Sequence, residues 1–123
     1  MSLSVRETLA FGSTCREWLD KFAERFPHEE FHRTAIRSLG GLLTYRDDFP
    51  GDPAGWAGGI VYIMAAHDSL GMHPRFLNRE LEDFFGVSMS NIRKCGDQIW
   101  TWSGEDGFDI LPWRPRDADV ATG

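Results

Sequence analysis

Asp52-Pro53-Ala54-Gly55-Trp56-Ala57-Gly58-Gly59-Ile60-Val61-Tyr62-Ile63-Met64-Ala65-Ala66 is the stretch that sets the architecture, and it runs on through His67 to Leu70. Asp52 and Pro53 form a helix start, an N-cap carboxylate followed by a residue whose fixed φ suits the first helical position. From Ala54 to Leu70 the segment is apolar nearly all round, with Trp56, Ile60, Val61, Ile63, Met64 and Leu70 interspersed with the small residues Ala57, Gly58 and Gly59. A helix without a polar face belongs in the centre of a bundle, and its small residues let neighbouring backbones come close. The longest uninterrupted apolar run within it, Ile60 to Ala66, is much shorter than the twenty or so apolar residues that span a bilayer, so the segment reads as a core helix and not as a membrane anchor.

Downstream, Gly71 to Arg75 reads as a loop, Leu77 to Phe85 as a short helix, Gly86-Val87-Ser88 as a tight turn, and Ser90 to Trp102 as another helix with Ile92, Cys95, Ile99 and Trp102 on its stripe. Upstream, Ser4-Val5-Arg6-Glu7 and Thr14-Cys15-Arg16-Glu17 both have the capping-box pattern, which marks two helix starts. Cys15, Trp18, Leu19, Phe22, Ala23 and Phe26 then share one helical face until Pro27. Glu29 and Glu30 complement the dipole of the next helix, whose stripe is Phe31, Ala35, Ile36 and Leu39, and Gly40-Gly41 is expected to end or kink it. No run alternates with period two for long enough to make a strand. The expectation is an all-α single bundle of about five helices over residues 1–102, followed by an extended aromatic tail over 103–123 that is anchored by Phe108, Ile110, Leu111 and Trp113.

The chain has 123 residues, 41 % of them hydrophobic, and a formal charge of -6. That length suits one domain with its own core. No secretory signal is evident near the start, and Cys15 and Cys95 stand eighty positions apart with no CxxC pair, so the reading is a cytoplasmic chain with reduced, buried thiols. The negative balance opposes strong nonspecific attachment to phosphate backbones, although most of the basic residues are arginine, which is suited to bidentate contacts.

His28-Glu29-Glu30-Phe31-His32 fits H-E-x-x-H, in which His28 and His32 would hold zinc and Glu29 would act on its bound water. A zinc-dependent hydrolase is therefore the alternative function. Pro27 puts His28 at the very start of its helix, and no third ligand at a recognisable spacing follows, since His67 and His73 are the remaining histidines. His67-Asp68 lacks any nucleophile in view, and there is no Walker loop, dinucleotide fingerprint or serine-hydrolase elbow. The principal reading carries no cofactor and no catalytic residue.

Asn78 to Cys95 carries more information. Leu81 and Phe85 facing inward, Gly86 at the turn, Val87 in the angle, Ser88 as cap, and Ile92 and Cys95 packing back make the helix-turn-helix pattern. Met89, Ser90, Asn91, Arg93 and Lys94 then fall on or near the outer side of the second helix, where Asn and Arg can read base edges. Ser88, Ser90, Asn91, Arg93 and Lys94, with Arg75 and Arg79 as phosphate contacts, are the nucleic-acid candidates. Glu80, Glu82, Asp83 and Asp97 outweigh the nearby cations, and Glu82 stands where such motifs carry a small residue. If the partner is a protein, Trp100, Trp102, Phe108 and Trp113 are the anchors, unless the tail packs those rings on its own domain.

Trp56-Ala57-Gly58-Gly59-Ile60-Val61-Tyr62 and Leu81-Glu82-Asp83-Phe84-Phe85-Gly86-Val87-Ser88 resemble the pattern of an uncharacterised family of small bacterial domains, with a weaker likeness at Glu29-Glu30-Phe31. The spacing through Pro74-Arg75 and Gly86-Val87 is also similar to the second cyclin-like repeat of transcription factor IIB. The resemblance implies a cyclin-box-like bundle that docks protein, DNA or both, possessing no assigned activity. Gly58 in place of the usual alanine, Leu77 in place of a Thr or Ser cap, and the Trp-rich tail depart from it, and the family does not characteristically carry histidine at position 28. Together these point to a non-enzymatic binding module, transcription-related in type, with a protein or DNA partner, no membrane contact, and a homo-oligomer left open.

Overall fold

Ser4 accepts a hydrogen bond from the Glu7 N–H at 3.1 Å and Glu7 reaches back to the Ser4 N–H at 3.2 Å, so the first capping box opens helix α1, Val5–Arg25. The computed structural model describes residues 4–67, 76–105, 110, 111, 113 and 114. Four more helices follow within them, α2 (Glu29–Tyr45), α3 (Pro53–Ala66), α4 (Asn78–Phe85) and α5 (Met89–Glu105). The fold is a small all-α bundle, with no strand among the described residues.

α3 ends at Ala66 with His67 as its C-cap, short of the Leu70 expected from the apolar run, and two further boundaries differ from the sequence expectation, each for a tertiary reason. Thr14 starts no helix, because α1 passes straight through it and its hydroxyl donates to the Ala10 carbonyl one turn back, at 3.0 Å. Continuity keeps Phe11, Cys15, Leu19 and Phe22 in phase on one buried stripe, whereas a restart at Thr14 would rotate the later residues away from the core. Gly40-Gly41 likewise neither ends nor kinks α2, which continues to Tyr45 because Leu39 and Leu42 on either side of the pair are both buried. Burial of those leucines outweighs the helix penalty of two glycines.

α1 and α2 are antiparallel: Gly12 lies against Leu43 at one end, and His32 Nε2 sits 2.8 Å from Asp20 Oδ1 at the other. α3 crosses beneath them as the central helix, capped by Asp52, whose carboxylate accepts from the Ala54 N–H at 2.9 Å. Ala57, Ile60, Val61, Ile63 and Met64 are completely buried, and α3 packs on all four other helices. Its closest neighbour is α5. A Cβ on Gly59 would lie 2.8 Å from the Gly96 backbone nitrogen, and one on Gly96 would lie 3.0 Å from the Gly59 carbonyl oxygen. The small residues of the core helix thus bring two backbones together, as its composition implies.

Most of the described aromatic residues fall into three groups, of which Trp100 with Trp113 is the smallest. Phe22 is ringed by Phe26, Phe31, Phe76, Phe84 and Phe85, which ties α1 to α2 and α4. Phe49, Trp56 and Trp102 form the second group, with Trp102 stacked parallel to Trp56 at 5.7 Å. The segment beyond residue 102 is continuous with the domain wherever it is described. α5 runs on to Glu105, and Ile110 and Leu111 are buried in the same core. The Trp113 indole N–H donates to Ser38 Oγ at 2.8 Å, while that fully buried hydroxyl donates to the Thr34 carbonyl at 2.9 Å.

Candidate functional site

α4 ends at Gly86, whose φ of 69° and ψ of 22° lie in the left-handed region that a glycine enters without steric cost. Val87 and Ser88 complete the turn, and Ser88 Oγ accepts from the Asn91 N–H at 3.2 Å, capping α5. A second acceptor serves the same helix end from across the turn. Glu82, on α4, takes the Met89 N–H at 2.8 Å. The large residue at this position of the helix-turn-helix pattern is therefore a cap for the following helix. Glu82→Ala is expected to cost about 1 kcal/mol of stability through the lost cap, read as a lower urea midpoint, with Glu82→Gln retaining most of it.

The outward side of α5 is a broad, open depression of about 560 Å³ lined by Ser90, Arg93, Lys94, Asp97, Gln98 and Thr101. Ser90, Arg93 and Lys94 come together there as the spacing implies, and Arg79 is exposed on α4. Met89 and Asn91 do not join them. Met89 is buried, and the Asn91 amide lies over Gly55 of α3, 2.8 Å from where a Cβ would stand. Ser88 is exposed but its hydroxyl faces its own helix end. Arg75 and Phe108 lie outside the described residues. Asp97, weighed above as an opposing charge, lies on the same face, and Gln98 and Thr101 join it without having been singled out by the sequence, although continuing the helical period of 90, 93 and 94 by one and two turns reaches them.

Arg79, Arg93 and Lys94 make no ion pair among the described residues, whereas Arg16 is paired with Asp20, and Arg33 with Glu29 and Glu30. The acids counted against a phosphate partner are partly engaged with the backbone: Glu80 accepts from the Leu77 N–H at 2.9 Å, and Glu82 caps α5. Leu77 itself supplies no cap.

Trp100, Trp102 and Trp113 are half-buried against their own chain. Trp100 stacks on His67 with centroids 3.6 Å apart, and the Arg114 guanidinium stands 3.8 Å from its ring. Burial lowers the His67 pKa below its ordinary value, the Arg114 cation lowers it further, and Asp97 opposes both. Trp102 lies on Trp56 with the Arg46 guanidinium 4.8 Å from its ring, and Trp113 is held by Ser38.

His28 stands outside α2, as its N-cap, with Nδ1 accepting from the Phe31 N–H at 3.1 Å. His32 is one turn inside and directed at Asp20, so the two imidazoles are not successive residues on one helical face. Among the described residues no group of three or more His, Cys, Asp or Glu is placed to hold a metal ion. Burial pushes the Cys15 thiol up to about 12, with the Asp52 and Cys95 charges adding to it, and Cys95 up to about 11 against the pull of Lys94. Both remain thiols at neutral pH, the unreactive form.

No helix among the described residues is long and apolar enough to cross a membrane. No family model, curated protein or solved structure matches the chain. The α5 face is the feature on which a functional reading rests.

Proposed function

We propose that the chain is a DNA-binding helical module, in which α4, the Gly86-Val87-Ser88 turn and α5 act as a helix-turn-helix and α5 is the recognition helix. The observation that carries this reading is the outward face of α5, where Ser90, Arg93, Lys94, Gln98 and Thr101 present hydrogen-bonding groups that no described residue of the chain engages. Such a face lacks the aromatic and aliphatic anchors of a protein interface. It has the residue types that read major-groove edges: Arg93 suits the paired acceptors of guanine and Gln98 the donor and acceptor of adenine, with Ser90 and Thr101 adding single bonds. Arg79 and Lys94 would take backbone phosphates, and Arg75 is a third candidate.

The electrostatics set the strength. With a formal charge of -6 on the chain and about three cations at the face, phosphate attraction is modest, and the slope of log K against log salt should be near -3. The test is fluorescence anisotropy with mixed-sequence duplex DNA at low and physiological salt. Binding at low salt is expected, weakened by salt with that shallow slope and abolished by the double change Arg93→Ala/Lys94→Ala. Both side chains are exposed, so that variant should melt like the wild type. Absence of binding at low salt overturns the DNA reading and leaves docking of a protein.

A further inference from the structure

Residues 110, 111, 113 and 114, the described part of the chain after α5, are fastened to the bundle in succession. Ile110 and Leu111 are buried in the core, the Trp113 indole N–H bonds Ser38 on α2, and Arg114 closes on the last turns of α5. Its Nη1 donates to the Trp100 carbonyl and, at 2.7 Å, to Ser103 Oγ, while the guanidinium stands 3.8 Å from the Trp100 ring. Gly104 leaves room for it, since a Cβ there would meet Nη1 and Nη2 at 3.1 Å. From the end of α3, His67 lays its imidazole on the same indole, with centroids 3.6 Å apart and the planes 4° from parallel. One tryptophan ring thus holds a permanent cation and a group that can become one. His67 is otherwise exposed, so a proton reaches it without unfolding the bundle.

We propose that His67, Trp100 and Arg114 form a proton-operated latch, in which protonation of His67 releases Arg114 from the end of α5 and frees the segment at Trp113 and Arg114. A neutral imidazole stacks on an indole as one flat ring on another. An imidazolium is attracted to the indole as well, but the guanidinium is already there and does not give up its charge, so two cations then repel each other over one ring. The charged groups that face His67 among the described residues are Arg114 and, from α5 one turn before Trp100, Asp97. A helix C-terminus ordinarily favours a charged histidine, and Asp97 acts in the same sense. Even so, His67 is held below its ordinary value, first by burial and then by Arg114. The closed arrangement therefore binds a proton more weakly than an open one, and by linkage a proton must favour the open one. The hold is complete above the ordinary histidine value and is lost progressively as pH falls from there toward the lowered one. Ile110 and Leu111 carry no charge to answer a proton, so the opening is local. None of this depends on the DNA reading.

The experiment is nuclear magnetic resonance of the full chain titrated from about pH 7.5 to about pH 5, across the ordinary histidine range. The signals to follow are the His67 ring, the Arg114 Nε–H and the Trp113 indole N–H. The His67 midpoint should fall below the ordinary value, and the Arg114 and Trp113 N–H groups should exchange faster with water in step with it. His67→Phe keeps a flat ring beside Trp100 and has nothing to protonate, so its Arg114 and Trp113 signals should hold to the acid end of the titration. Arg114→Gln removes the competing cation and should shift the His67 midpoint upward. Helical circular dichroism confirms that both variants are folded. Arg114 and Trp113 signals that stay constant while His67 titrates overturn the proposal. So does their loss in His67→Phe over the same range, because another group would then work the opening, and so does a His67 midpoint that Arg114→Gln leaves unmoved.

Discussion

Gly59→Ala is expected to lower the unfolding free energy by about 3 kcal/mol, whereas Gly40→Ala, the same substitution in another helix, should raise it by up to about 1 kcal/mol. A methyl group on Gly59 meets the Gly96 backbone nitrogen at 2.8 Å, Cys95 Cβ at 3.0 Å and the Cys95 carbonyl carbon at 3.1 Å. Two of these are main-chain atoms that no rotamer change can move aside. Relief requires α3 and α5 to separate, which would loosen contacts along the whole seam from Gly55 to Ile63. The gain from replacing glycine in a helix is about 1 kcal/mol, too small to offset that strain. At Gly40 nothing lies within 4 Å, and the helix gain stands alone. Urea unfolding of the two variants checks this directly: equal midpoints would show that α3 and α5 are not in backbone contact at Gly59.

The second large effect is expected at Phe22→Ala, a loss of about 3–5 kcal/mol. Phe22 is only 2 % exposed, and its ring centre lies 4.8 Å from that of Phe26, 5.0 Å from Phe76, 5.3 Å from Phe84 and 5.6 Å from Phe85. Truncation removes the apolar transfer energy and leaves a cavity bordered by rings of α2, of α4 and of the residues next to the ends of α1 and α4, which cannot all close on it. A domain of this size is stable by roughly 5–15 kcal/mol, so one such loss takes a third or more of the total at the middle of that range. Because Phe84 and Phe85 belong to α4, the change should also speed amide hydrogen exchange in α4 beyond what the global loss accounts for. Phe26→Ala, at the partly exposed end of the same cluster, should cost clearly less. Equal costs at positions 22 and 26 would show that the ring cluster has no centre.

What was legible in the sequence was whatever local chemistry or periodicity decides. Asp52-Pro53 starts α3 as its cap chemistry requires, the all-round apolar pattern places α3 in the middle, and Gly51 and Gly86 occupy turn positions with a positive φ. What could not be read there depends on partners distant in the chain. The Thr14 capping pattern is locally as good as the one at Ser4, and only the phase of Phe11 against Cys15 and Leu19 decides that it goes unused. Glu82 looks like an unfavourable charge in a recognition motif until the fold brings the Met89 N–H to it. Asn91 has the right residue type for base reading, yet its place over Gly55 follows from how α5 lies on α3. Trp113 and Ser38, seventy-five positions apart, leave no trace of their pairing in either local pattern.

The central position of α3 has a consequence for how the chain is made. Its face of Gly55, Gly58, Gly59 and Ile63 is covered by Asn91, Ile92, Cys95 and Gly96 of α5, which synthesis delivers only after α3 and α4 have both emerged from the ribosome. Until then α3 lacks one of its four neighbouring helices and presents its glycine-lined side to solvent. A nascent chain paused before Ser88 is therefore a sticky three-walled intermediate. The helix that covers this side is also the one that bears the candidate recognition face, so a truncated product lacking that face would leave the core open as well.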